Sequence, residues 1–68
     1  MPRYVAYPQS CGRNSLTFVK IAVEGFRPKQ AEIRRVGAQA LRAEFGLHIL
    51  PVDVDFYDIP DAPNEATN

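Results

Sequence analysis

Sixty-eight residues give room for a single domain, because a chain this short buries only about 60% of the surface its unfolded form exposes. With 46% hydrophobic and 24% charged residues it is too apolar for a disordered segment, it has no run near the roughly 18 apolar residues of a membrane helix, and its one cysteine excludes an internal disulfide. The net charge of +0 conceals a division: all eight basic residues stand in the first 42 positions with only two acids, and the other six acids stand in positions 43–68.

In chain order, positions 3–7 form a short β-like run, RYVAY, that Pro8 stops and that reads as an edge strand. Positions 8–15, PQSCGRNS, concentrate the residues that supply turn geometry and predict an exposed loop. A second strand is expected over 16–23, with Thr17, Val19, Ile21 and Val23 on one face and Leu16, Phe18, Lys20 and Ala22 on the other. Both faces are largely apolar, which predicts a central strand or one covered by a second molecule.

Glu24 and Gly25 end that strand, and Pro28 suits the first position of a helix over 28–45. Ile33, Val36, Gly37, Ala40, Leu41 and Phe45 recur every three or four residues as an apolar stripe, opposite Lys29, Glu32, Arg35, Gln39 and Arg42. Gly46 supplies a left-handed stop, and the mid-helix Gly37 predicts a close backbone approach to the sheet or to a partner helix. A third strand over 52–58 places Val52, Val54 and Phe56 in the core and alternates them with Asp53, Asp55 and Tyr57.

The expected fold is one α+β domain over 1–60, a small mixed β-sheet with one covering helix in the order β-β-α-β, followed by a mobile acidic tail over 61–68. The sheet is expected to be mixed because a strand-helix-strand segment normally joins parallel strands by a right-handed crossover. One helix covers one face. Leu16, Phe18, Ala22 and Tyr4 are expected on the other, where a chain this small without a disulfide needs a second copy, so a homodimer is predicted with these four at its interface.

The chemistry-bearing residues form no catalytic set. Cys11 stands two residues from Arg13, but His48, the only histidine, lies beyond the far end of the helix and cannot serve it as a base. Asp53 and Asp55, on one strand face with Asp58 nearby, read as a solvated or partner-binding acidic face, without the glycine-bearing loop of a calcium site. No metal or cofactor is expected. Arg34, Arg35 and Arg42 on the helix can track phosphates, yet zero net charge gives weak attraction to nucleic acid, which is disfavoured as a partner.

From LTFVKIAVEGFRPKQ to GLHILPVDVDFYDIP, positions 16–59 resemble the strand-helix-strand unit of the small tautomerases of the 4-oxalocrotonate type, with EGF at 24–26 and Arg27 standing where that family has an "EGR"-like turn. The resemblance implies two parallel strands and an amino-terminal proline as general base. Here Pro2 precedes an additional strand and loop, and Ser15 and Leu16 stand at the matching position, so a tautomerase with Pro2, Arg34 and Arg35 at its site is one alternative reading, and a weak nucleic-acid-binding protein is the other. The favoured expectation is a small non-enzymatic, homodimeric inhibitor or adaptor. It resembles, in size and type, those that phages and mobile elements encode, anti-CRISPR proteins included. It would occupy a protein partner's surface through Asp53, Asp55, Asp58 and Tyr57 and through Arg34, Arg35 and Arg42. A cytoplasmic setting is expected, since the first residues lack the basic-then-apolar pattern of a secretory signal.

Overall fold

The computed structural model describes residues 1–60. It contains strand β1 (Arg3–Pro8), strand β2 (Val19–Ala22), helix α1 (Gln30–Phe45) and strand β3 (Val54–Asp58), with short 3-10 turns at Gln9–Cys11 and Pro51–Asp53. The order β-β-α-β and the α+β class are those expected; the tail over 61–68 lies outside the described residues.

The sheet itself corrects the sequence reading. Its order is β2-β1-β3 and both pairings are antiparallel, so it is not mixed. β2 and β3 do run in the same direction across α1, but β1 lies between them and no parallel pair forms. β1 is therefore central, where an edge was expected. The reason is burial: Tyr4 through Pro8 are all buried, on both faces, whereas β2 alternates buried Val19 and Ile21 with exposed Lys20 and Ala22.

Two hydrogen bonds fix which way each backbone group points. The Val23 N–H donates to the Pro2 carbonyl at 3.0 Å and the Ile59 N–H donates to the Arg3 carbonyl at 3.0 Å. With the observed registers, Tyr4↔Ile21 and Val5↔Tyr57, the even-numbered residues of β1 bond to β2 and the odd-numbered ones to β3. Pro8 is thus harmless in a central strand: the direction its missing N–H would take faces β2, whose first strand residue, Val19, already pairs with Ala6.

Tyr4 and Ala6 meet Val19, Ile21, Ile33, Ala38, Leu41 and Val54 in the core between sheet and helix, with Leu41 fully buried. α1 starts at Gln30 rather than at 28, with Lys29 in extended conformation before it; it stops at Phe45, where Gly46 takes φ 70° and donates its N–H to the Arg42 carbonyl at 2.9 Å. Gly37 makes the close approach: a methyl group there would lie 2.8 Å from the Ala6 Cβ and 3.2 Å from a Val54 methyl. The approach is to the sheet.

β3 is shorter than expected. Asp53 donates its N–H to the Leu50 carbonyl at 2.9 Å, closing the turn that Pro51 begins, so Val52 is exposed in that turn instead of lying in the core. β2 is also shorter, which leaves Leu16 and Phe18 in the preceding loop.

Candidate functional site

The second face of the sheet is less bare than the sequence suggests. Val5 and Tyr7 point away from α1, yet each is buried within the single chain, at 6% and 7% exposure. Their cover is local. The Tyr57 ring lies 6.1 Å from that of Tyr7, and the Arg13 guanidinium, from the loop after β1, sits 4.2 Å over Tyr57. Burial, followed by the Asp55 carboxylate, raises the Tyr7 phenol above its ordinary value of 10.0. Asp55 Oδ1 also accepts the Phe56 N–H at 2.9 Å.

The seven residues expected to bind a partner do not form one patch. Asp53 is in the 3-10 turn, not on the strand; Asp55 and Tyr57 are on the second face; Asp58 is exposed at the far end of β3, on the helix side opposite Tyr4. Five residues of extended chain put about 16 Å between Asp53 and Asp58. Arg34 is half-buried on α1, its guanidinium 5.9 Å from the Phe56 ring; Arg35 is ion-paired to Glu32 one turn back; Arg42 is exposed in the last turn. Of the four expected at a dimer interface, Leu16, Phe18 and Ala22 are exposed. Tyr4 is not: it is a core residue at 8% exposure, edge-on to Phe56 at 5.6 Å.

A groove that the sequence reading did not single out lies at the end of the sheet where β1 begins. It measures about 700 Å³. Met1, Pro2, Phe26, Ile59 and Pro60 give it apolar walls around Tyr4, with Arg3 and Asp58 as its charged groups. Phe26 follows Gly25, whose φ of 106° turns the chain outward after β2, and the ring stands 90% exposed with Arg27 beside it at 5.8 Å. The available signal was the position of Phe26 in a turn between Gly25 and Pro28, where a large apolar residue has no core to enter.

No helix among the described residues is long and apolar enough to cross a membrane. Compared with models of known protein families, with curated proteins and with solved structures, the chain matches none.

Proposed function

We propose that this chain is a protein-binding module, a homodimeric inhibitor or adaptor that acts by occupying a partner's surface. The observation that carries this reading is the groove beside Phe26: an apolar wall with an aromatic ring left 90% exposed, flanked by one arginine and one aspartate. Aromatic and arginine side chains are what the centres of protein interfaces collect, and a large apolar side chain held out in water by a turn gains free energy only when something covers it. The test is capture from host lysate by the immobilised chain and by its Phe26→Ala variant. Wild type retains a specific protein that Phe26→Ala loses while its far-UV circular dichroism is unchanged; equal capture by both refutes the assignment to this groove.

A second reading has one observation in its favour. Pro2 lines the same groove with Arg3, Tyr4 and Asp58, which supports the tautomerase alternative when Met1 is removed and Pro2 becomes the amino terminus. Its Arg34 and Arg35 are not among the groove's lining, and its parallel strand pair is absent. Enol-keto conversion of a phenylpyruvate-type substrate that vanishes in Pro2→Ala is the result this reading requires.

A further inference from the structure

The two outer edges of the sheet are unlike. On β3 the groups pointing away from β1 belong to Val54, Phe56 and Asp58, because Tyr57 and Asp55 are the residues bonded to Val5 and Tyr7. The central one of these donors, the Phe56 N–H, is already held by Asp55 Oδ1 at 2.9 Å. An incoming strand would have to break that bond and meet the charge of Asp58. This edge is closed by its own side chains.

On β2 the outward groups are those of Lys20 and Ala22, since Val19, Ile21 and Val23 are the residues bonded to β1. Among the described residues nothing pairs with them. Lys20 is the only charge on the strand.

We propose that the β2 edge is where two copies of this chain join, by antiparallel pairing of β2 with β2 about a two-fold axis at Ile21, giving a continuous six-stranded sheet with both helices on one side. This rests on the homodimeric part of the reading above. Residues directly opposite in an antiparallel pair share a face, so only registers that oppose residues of like parity are possible. A register centred on Lys20 sets two ammonium groups against each other. Centred on Ile21, Lys20 faces the second copy's Ala22, both hydrogen-bonded pairs fall inside the observed strand Val19–Ala22, and on the helix side Ile21 stands opposite Ile21 and Val19 opposite Val23, residues that each chain already buries to 7% exposure or less. The second copy's Glu24 and Lys20 then both lie diagonal to Lys20, one on either side of the Ala22 it faces. The edge is self-complementary in backbone donors and acceptors, and this register sets no like charges directly opposite.

Sedimentation equilibrium and amide exchange test this on the full chain. Wild type sediments at twice 7.6 kDa, and the Lys20 and Ala22 amides become protected as concentration rises. Ala22→Lys, which opposes two lysine pairs, sediments at 7.6 kDa; Lys20→Glu with Ala22→Lys, which turns those pairs into opposite charges, sediments as the dimer again. Ala22→Pro removes one outward N–H and no internal bond, so it too is monomeric, and it decides the matter where the lysine variant fails to fold. A dimer that survives both Ala22 variants, or unprotected Lys20 and Ala22 amides in a wild-type dimer, overturns the edge assignment and leaves dimerisation standing. A wild-type monomer at millimolar concentration overturns dimer and edge together, while capture through Phe26 is read separately. Pairing of β2 with a strand of another protein, seen as amide protection only in that protein's presence, also overturns self-pairing.

Discussion

Gly37→Ala is the sharpest probe of how helix and sheet fit. Intrinsic propensity alone predicts stabilisation, because alanine in a helix interior is worth about 1 kcal/mol over glycine. The structure predicts the opposite. The new methyl would stand 2.8 Å from the Ala6 Cβ and 3.2 Å from a Val54 methyl, where ordinary contact begins near 3.4 Å. Ala6 has no rotamer to change and belongs to the central strand, so relief requires α1 to lift from the sheet. Overpacking of this kind costs about 1–3 kcal/mol, and the rigidity of the site puts it in the upper half of that range. Less the propensity gain, a net loss of about 1–2 kcal/mol remains, or about 5–10 °C in Tm for a domain of this size. Urea unfolding at one fixed protein concentration measures it, since dissociation would otherwise contribute. Ala6→Gly in the same chain returns the missing space, so the double mutant is more stable than the sum of the two single losses predicts, by about 1 kcal/mol. A Gly37→Ala protein as stable as wild type, or additivity in the cycle, refutes the close packing.

Three further outcomes follow from other contacts. The Tyr7 phenol is raised above 10.0 in the fold, so the stabilisation tied to its proton is complete below the unfolded value and is lost as pH rises through the folded one. Unfolding free energy measured from about pH 8 to 11 therefore falls more steeply in wild type than in Tyr7→Phe, and parallel curves exclude the linkage. Asp55→Ala removes the acceptor of the Phe56 N–H and frees that group on the β3 edge. Concentration-dependent association beyond that of wild type, seen by light scattering, is the expected result. Leu41→Ala, at a fully buried core position, costs about 2–5 kcal/mol, while Phe26→Ala stays within about 0.5 kcal/mol of wild type by thermal unfolding.

The helix was legible in the sequence because its signals are local. A three-and-four stripe, a glycine stop and an anomalous mid-helix glycine each state their structural consequence within a few residues, although Gly37 alone left open whether the close approach is to the sheet or to a partner helix. Strand order was not legible, because nothing within β1 or β2 says which neighbours it will find. The apolar residues Leu16 and Phe18 made β2 look central, and the proline ending β1 made it look like an edge. The structure shows that Pro8 stands where no donor is needed, a fact that depends on the register of β2 against Ala6 and is invisible before that register is known. The candidate site was harder still. The groove draws Met1, Pro2, Phe26, Ile59 and Pro60 from three separate stretches, and only the closing of both β1 ladders at Pro2 and Arg3 brings them together.

The charge division along the chain also changes meaning once folded. Strands β1 and β2 come from the basic part and β3 from the acidic part, and β1 sits directly beside β3. Opposite charges are thereby interleaved instead of separated: Arg13 stacks over Tyr57 of the acidic strand, two residues from Asp55, and Arg3 shares the groove with Asp58. Such interleaving weakens the long-range field that would steer a charged partner, and on the proposed binding role selectivity comes from contact. On the same proposed role, that shifts the weight of recognition from the aspartates and arginines, conspicuous in the sequence, to shape and apolar surface: an exposed phenylalanine at the mouth of a groove and a short strand edge whose outward backbone groups have no partner among the described residues. Both are features that association alone satisfies, which is why the two proposals place binding there and leave the charges to set register.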